Sequence, residues 1–335
     1  MLAPELKKLK GKKMFRRILK MLIGLTLGVT IATPVAAINP VEVRQHYDRN
    51  LYFGGWVAGS FLVYQQGEIT YEFHRSGHGY NTPQVVNSVT KTVLAMLVGI
   101  AIQRGHIANV DVPVYRFFPE VEITDERKQD MTVRHLLTMT SGLPTSFVPL
   151  MAENAALAAF EMPLRSAPGE QFRYCSGAGT QTLVGVLQRA IGAVDLFEFA
   201  QTNLFEPLAL SEHIHWQTAR DGSLLGGMGM HMTPADMLRL GQLYLYDGVW
   251  QGRRILPPGW LEYGWPNIPV STPGINNIGF MLRGSENSFG RFAAAQGVGG
   301  NVISIYPDAG MVVVRMGNHL LAVPAMDRAM NVLLR

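Results

Sequence analysis

The chain has 335 residues, 47% hydrophobic and 16% charged, with 35 glycines, 19 prolines and one cysteine. It is too apolar and too periodic for a disordered protein, and a single cysteine excludes both a disulfide framework and a cysteine-rich zinc site. The formal charge of +4 would invite a nucleic-acid partner, but that charge is concentrated at one end.

Residues 1–20 hold eight of the 29 basic side chains and one acid, Glu5, and the next 17 residues, Met21 to Ala37, carry no charge. A basic start, a short apolar run and the small-residue ending Pro34-Val35-Ala36-Ala37 together read as an export signal, complete even from Met14. The division expected is an export signal over 1–37, cleaved near Ala37, and one working domain over 38–335. The uncharged run is short for a bilayer span of ~20 residues, so membrane contact is expected only if the leader stays uncleaved. Without the leader, 21 basic and 24 acidic side chains remain, a net charge of −3. That removes the support for nucleic acid, because phosphate binding needs a basic surface. The expected location is periplasmic or secreted. Only two of those 21 basic residues are lysines, Lys91 and Lys128, so each calls for an explanation.

Gly59 to Tyr64 and Glu68 to Phe73 alternate β-branched and aromatic residues around Gln65-Gln66-Gly67, which predicts a hairpin. Val89 to Gln103 predicts a helix that is apolar almost all round, ended by Gly105. Met131 to Met139 reads as a second helix with Thr132 as its cap. Further helices are expected at Gly179 to Ile191, Asp195 to Leu204, Pro234 to Leu245 and Pro258 to Tyr263. Strand patterning returns at Ile278 to Leu282, Phe292 to Gln296, Val302 to Tyr306 and Met311 to Met316, and Val323 to Leu334 predicts a closing helix. The expected fold class is α+β, an antiparallel sheet drawn from both chain ends (about 38–80 and 265–335) around an inserted, mostly helical region (about 81–264).

Ser88-Val89-Thr90-Lys91 opens the apolar helix. A spacing of three places the hydroxyl and the amine on one helix face, within a turn of each other. A lysine desolvated there has its pKa lowered and can accept a proton, and the helix start favours an alkoxide. A serine beside such an amine is an activated nucleophile. The other reading of the motif is a capping serine and a snorkelling lysine. Two more segments bear on the choice. Tyr174-Cys175-Ser176 lies on a Gly-bounded turn and can set a phenol beside a nucleophile. Gly297-Val298-Gly299-Gly300-Asn301 enters a strand, where glycines admit a ligand close to the backbone and offer N–H groups to an oxyanion.

Taken together, these segments resemble the penicillin-recognising serine hydrolases, whose S-x-x-K motif has this spacing. The likeness is strongest to the class C β-lactamase-related branch with the family VIII carboxylesterases and 6-aminohexanoate-dimer hydrolases. It extends through His135-Leu136-Leu137-Thr138-Met139-Thr140-Ser141-Gly142-Leu143-Pro144, Leu204-Phe205-Glu206-Pro207-Leu208 and Met232-Thr233-Pro234-Ala235-Asp236-Met237, over about residues 55–335. The resemblance implies a β-lactamase/transpeptidase-like fold and no cofactor, with Ser88 as the acylated nucleophile, Lys91 as its base and Tyr174 as the second acid/base. It implies an oxyanion hole from the backbone N–H groups of Ser88 and Asn301, and substrate contacts at Ser176, Val298, Gly299 and Gly300. Val298 stands where the family's third motif begins with Lys or His, and Ser176 where β-lactamases have Asn. With no cation to hold a substrate carboxylate, an ester or amide is expected over a β-lactam. The alternatives are a D-amino-acid peptidase or β-lactamase acting on cell-wall material, and an inactive relative that binds peptides in the same cleft. The expected partner is a small-molecule or short-peptide substrate.

The remaining signals have plainer readings. Cys175 reads as a small buried hydrophobe. Met228, Met230 and Met232 around His231 read as packing near the site, and His213-x-His215 as structural or exposed, so no metal site is expected. Arg253-Arg254 reads as a solvated turn.

Overall fold

In a computed structural model of the chain, the residues described are 37–49, 58–174, 177–266, 268–269 and 277–317. The expected leader, Cys175, Ser176 and the expected closing helix Val323 to Leu334 lie outside them.

The chain enters through helix α1 (Pro40–Arg49) and forms the expected hairpin, β1 (Ala58–Gln65) and β2 (Glu68–His74). Two short segments follow, β3 (Gln84–Val85) and a 3-10 turn over Asn87–Val89, which runs into α2 (Thr90–Gln103). The helical middle holds α3 (Val133–Leu137), α4 (Ala155–Glu161), α5 (Ala178–Ile191) and α6 (Leu196–Ala200), the last continued by a π-helical turn over Gln201–Phe205. Strands β4 (His215–Trp216) and β5 (Met230–Met232) join β3 in a small sheet ordered β3-β5-β4. Next come α7 (Pro234–Leu245), the hairpin β6 (Val249–Trp250) and β7 (Arg253–Arg254), and α8 (Trp260–Tyr263). The chain then adds β8 (Ile268–Pro269), β9 (Asn277–Ile278), β10 (Arg283–Asn287), β11 (Gly290–Gly297), β12 (Asn301–Tyr306) and β13 (Met311–Gly317).

The main sheet has eight strands in the order β2-β1-β13-β12-β11-β10-β9-β8, every neighbouring pair antiparallel. The last described strand, β13, pairs with the first, β1, through Phe61↔Arg315 and Val63↔Val313, so both chain ends build one sheet as expected. Side chains alternate across it. Leu62, Ile303, Ile305, Val312 and Val314 join the large core under the helices, while Phe61, Val63, Tyr306, Met311 and Val313 form a second core with Val43. Tyr47 of α1 caps that second core and shares a hydrogen bond with the Tyr306 hydroxyl at 3.0 Å. With both faces covered, β1 is buried along its whole length.

Two expectations need correction. Ile278 to Leu282 is not a continuous strand. The Phe280 N–H donates to Gly264 O and the Met281 N–H to Leu137 O, so these peptides bond to the helical region and Met281 takes a φ of +58°. Arg253-Arg254 forms the second strand of a small hairpin, where Arg254 donates to the Asp247 backbone carbonyl at 2.7 Å. His215 and His231 face each other across β4 and β5 with ring centroids 5.5 Å apart, while His213 stays exposed. Met230 and Met232 are buried, in line with the packing reading. Among the described residues no three His, Cys, Asp or Glu side chains converge on a metal position, and no helix is long and apolar enough to cross a membrane.

Candidate active site

Twelve of the fourteen residues of α2 are buried, because the helix is apolar on every side and fills the centre of the domain. The 3-10 turn before it carries Ser88, half-buried at the cleft, with Asn87 at a φ of +51°. One turn on, Lys91 is 1% exposed. Its Nζ donates to Ser88 Oγ at 2.9 Å and to the Gly227 carbonyl at 2.6 Å. The second bond orients the amine: a backbone oxygen from the segment before β5 holds Nζ at the serine. The other lysine is also buried, and its Nζ donates to the Phe160 carbonyl near the end of α4 at 2.7 Å. Burial lowers the Lys128 pKa. Both lysines beyond residue 37 are thus interior donors, one in the cleft and one tying off a helix.

Tyr174 arrives on a segment tied to the neighbouring loops. The Arg173 N–H donates to the Met139 carbonyl at 2.9 Å, and the Thr145 hydroxyl donates to the Tyr174 carbonyl at 2.6 Å. The Lys91 ammonium lies 4.9 Å from the centre of the Tyr174 ring. Ser88, Lys91 and Tyr174 therefore share one cleft open to solvent, as the spacing and the turn suggested. Two methionines from opposite sides, Met139 and Met281, also line it, and both have left-handed backbone, with φ of +56° and +58°. Such conformations are costly for non-glycine residues and cluster at functional sites.

A residue missed in the sequence completes the lining. Arg283, at the start of β10, enters the cleft with its guanidinium 5.5 Å from the Tyr174 ring centre and donates to Gln296 Oε1 at 2.9 Å. The expectation that this cleft lacks a second cation does not hold: the cation comes from the strand beside the third motif. Its position follows from the register Arg283↔Ala294, and the strand expected there was placed five residues too early. No carboxylate lines the cleft among the described residues.

The glycine-rich segment is arranged differently from the expectation. Gly297, the last residue of β11, lies against the nucleophile turn. A Cβ there would come within 2.1 Å of Val86 O and 3.2 Å of Ser88 N. Gly299 and Gly300, with φ of +90° and +80°, are buried in the turn to β12 and do not line the cleft. Their role is backbone geometry, with the Gly299 carbonyl packed on Gly317, where a Cβ would sit 1.5 Å from it. Asn301 is fully buried in β12, with its amide donating to the Val85 and Val298 carbonyls at 3.2 and 3.1 Å. It stands one strand behind β11 and does not reach the cleft, so the residue brought to the nucleophile's edge is Gly297, followed by the 36% exposed Val298. Ser176 lies outside the described residues.

The β-lactamase family model matches residues 53–334. The 6-aminohexanoate-dimer hydrolase of Paenarthrobacter ureafaciens is 26% identical over 253 residues, covering 70% of this chain and 63% of that protein. The chain thus spans less than two thirds of that relative's length. A penicillin-binding protein homolog from Caulobacter crescentus superposes with a TM-score of 0.65 at 17% identity, over 83% of this chain and 91% of that one. A D-stereospecific amidohydrolase from a Streptomyces species gives a TM-score of 0.63 at 16% identity, over 84% and 94%. At these identities the structural likenesses establish a shared fold.

Proposed function

The chain belongs to the β-lactamase family, and we propose that it is a serine hydrolase that cleaves an ester or amide of a small molecule or short peptide through an acyl-enzyme on Ser88. The observation that carries this reading is the 2.9 Å contact between Lys91 Nζ and Ser88 Oγ, in a cleft shared with Tyr174. Lys91 in its neutral form takes the proton as Ser88 Oγ bonds to the substrate carbonyl carbon. The carbonyl electron pair moves to oxygen and is held by the N–H of Ser88 and a second backbone N–H from the end of β11, where Gly297 lies against the nucleophile. Lys91 passes that proton to the Tyr174 oxygen as the phenol gives its own O–H proton to the departing alcohol or amine, whose bond to the carbonyl carbon breaks. Water then repeats the sequence and frees Ser88.

A fluorophosphonate probe and short p-nitrophenyl esters test this reading. Wild-type protein labels on Ser88 and hydrolyses the esters, and Ser88→Ala loses turnover by at least ~10³-fold. Labelling that survives Ser88→Ala refutes the nucleophile, and no adduct on wild type favours a peptide-binding relative. A D-amino-acid peptidase or β-lactamase is the second reading, and Arg283 favours it by supplying a cation that could hold a substrate carboxylate. Nitrocefin turnover without esterase activity would select it; weak or absent nitrocefin turnover beside ester cleavage supports the first. Export belongs to the same proposal, with the leader removed near Ala37, and fractionation of cells expressing the whole chain tests it.

A further inference from the structure

The β13 strand, Met-Val-Val-Val-Arg-Met-Gly, is buried throughout and carries one charge in its middle. Arg315 is 0% exposed and heads the fully buried side chains by volume. It shares a sheet face with Met311 and Val313, which pack against Val43, and it stands opposite Phe61 and Val302. An apolar side chain of similar length would satisfy this position at lower cost, because a buried guanidinium must give up its hydration. What the guanidinium does here is specific: it donates to the Gly300 carbonyl at 2.6 Å.

That carbonyl belongs to the turn leaving β11 just after Gly297, the residue against the Ser88 amide. Other elements hold the same turn. Asn87, beside the nucleophile, donates its amide to the Val298 carbonyl at 2.8 Å, and Asn301 donates to the same oxygen at 3.1 Å. Gly317 lies flush against the Gly299 carbonyl. Successive peptide oxygens of the turn are therefore engaged from the nucleophile turn, from β12 and from β13. Tied in this way, the turn after β11 stays seated against Asn87 and the nucleophile turn.

We propose that Arg315 is a positioning residue for the hydrolase, its guanidinium clamping the Gly300 carbonyl so that the turn after Gly297 keeps its seat against Asn87 and Ser88. The inference rests on the hydrolase reading above. It acts through another group, so its signature is a loss in kcat with KM unchanged.

The test compares wild type, R315M and R315K with a short p-nitrophenyl ester, together with amide hydrogen exchange of the 297–302 segment. R315M lowers kcat by about tenfold to hundredfold, as a donor misplaced by about an ångström would, and leaves KM within about twofold. Its exchange over 297–302 is faster while Tm is equal to or above wild type. R315K, which keeps a charged donor, recovers most of the lost kcat. Wild-type kcat and wild-type exchange in R315M overturn the proposal, as does a change in KM alone. If R315M does not fold, R315Q, too short to span to Gly300 O, carries the same comparison. Failure of wild type to hydrolyse esters or to label at Ser88 counts against the hydrolase reading, and the exchange comparison then still decides whether Arg315 holds the turn.

Discussion

At the scale of single residues, the cleft is defined by what each side chain does to charge. Lys91 is oriented by the Gly227 carbonyl, so Lys91→Met leaves Ser88 without a proton acceptor while keeping most of the apolar stem. Its expected effect is a loss of ester turnover of about 10³-fold or more with the fold retained, read by rates alongside circular dichroism. Arg283 bears on which substrates are held. If it anchors an anion, Arg283→Met lowers kcat/KM for a carboxylate-bearing ester by about tenfold, one charge-assisted contact, and leaves a neutral ester unchanged. Equal losses on both esters would instead assign Arg283 to shaping Tyr174, whose ring it overlies. The Ser88–Lys91 pair was legible because three residues of helix bring two side chains together whatever the rest of the chain does. Arg283 was not, since its place depends on pairing with Ala294, eleven residues further on.

At the scale of elements, short segments are held by interior polar contacts. Helix α3 is capped at Thr132, whose N–H donates to His135 Nδ1 at 3.1 Å, and Gly169 packs against the other side of that ring. Burial holds the His135 imidazole below its ordinary value and so in its neutral form. The unfolded chain takes up that proton near pH 6.5, the folded chain only at lower pH, so the unfolded state binds more protons in between. This contribution to stability is complete above about pH 6.5 and falls as the pH drops through that value. Thermal melts should show Tm decreasing from pH 7 to pH 5, with a shallower decrease in His135→Gln. The meeting of β11 with the nucleophile turn is a second element-scale contact. Gly297→Ala places a methyl 2.1 Å from Val86 O, and neither backbone can yield without moving Ser88. Ester turnover is expected to fall by about 10²-fold, read by rates on a short p-nitrophenyl ester.

At the scale of the whole molecule, the sheet closes the two ends of the chain onto each other through β1 and β13, and α1 seals its outer face. Protein begun at Ile38 is expected to fold and hydrolyse like the whole chain. Protein begun at Ala58 lacks Val43 and Tyr47, uncovers Phe61, Met311 and Val313, and should melt at lower temperature and aggregate. By itself the sequence determined the basic, then uncharged and apolar, character of its first 37 residues, the hairpin, the apolar helix, the Ser88–Lys91 pair and the strands at both ends of a helical middle. All of these rest on contacts within a few residues, where the helix and strand repeats dictate which side chains meet. Only the tertiary structure decided that Arg283 enters the cleft, that Gly297 and not Asn301 reaches the nucleophile, and that a buried Arg315 holds the turn between them. Those depend on strand register, and a strand's alternation shows its two faces but does not name its neighbour or where pairing begins.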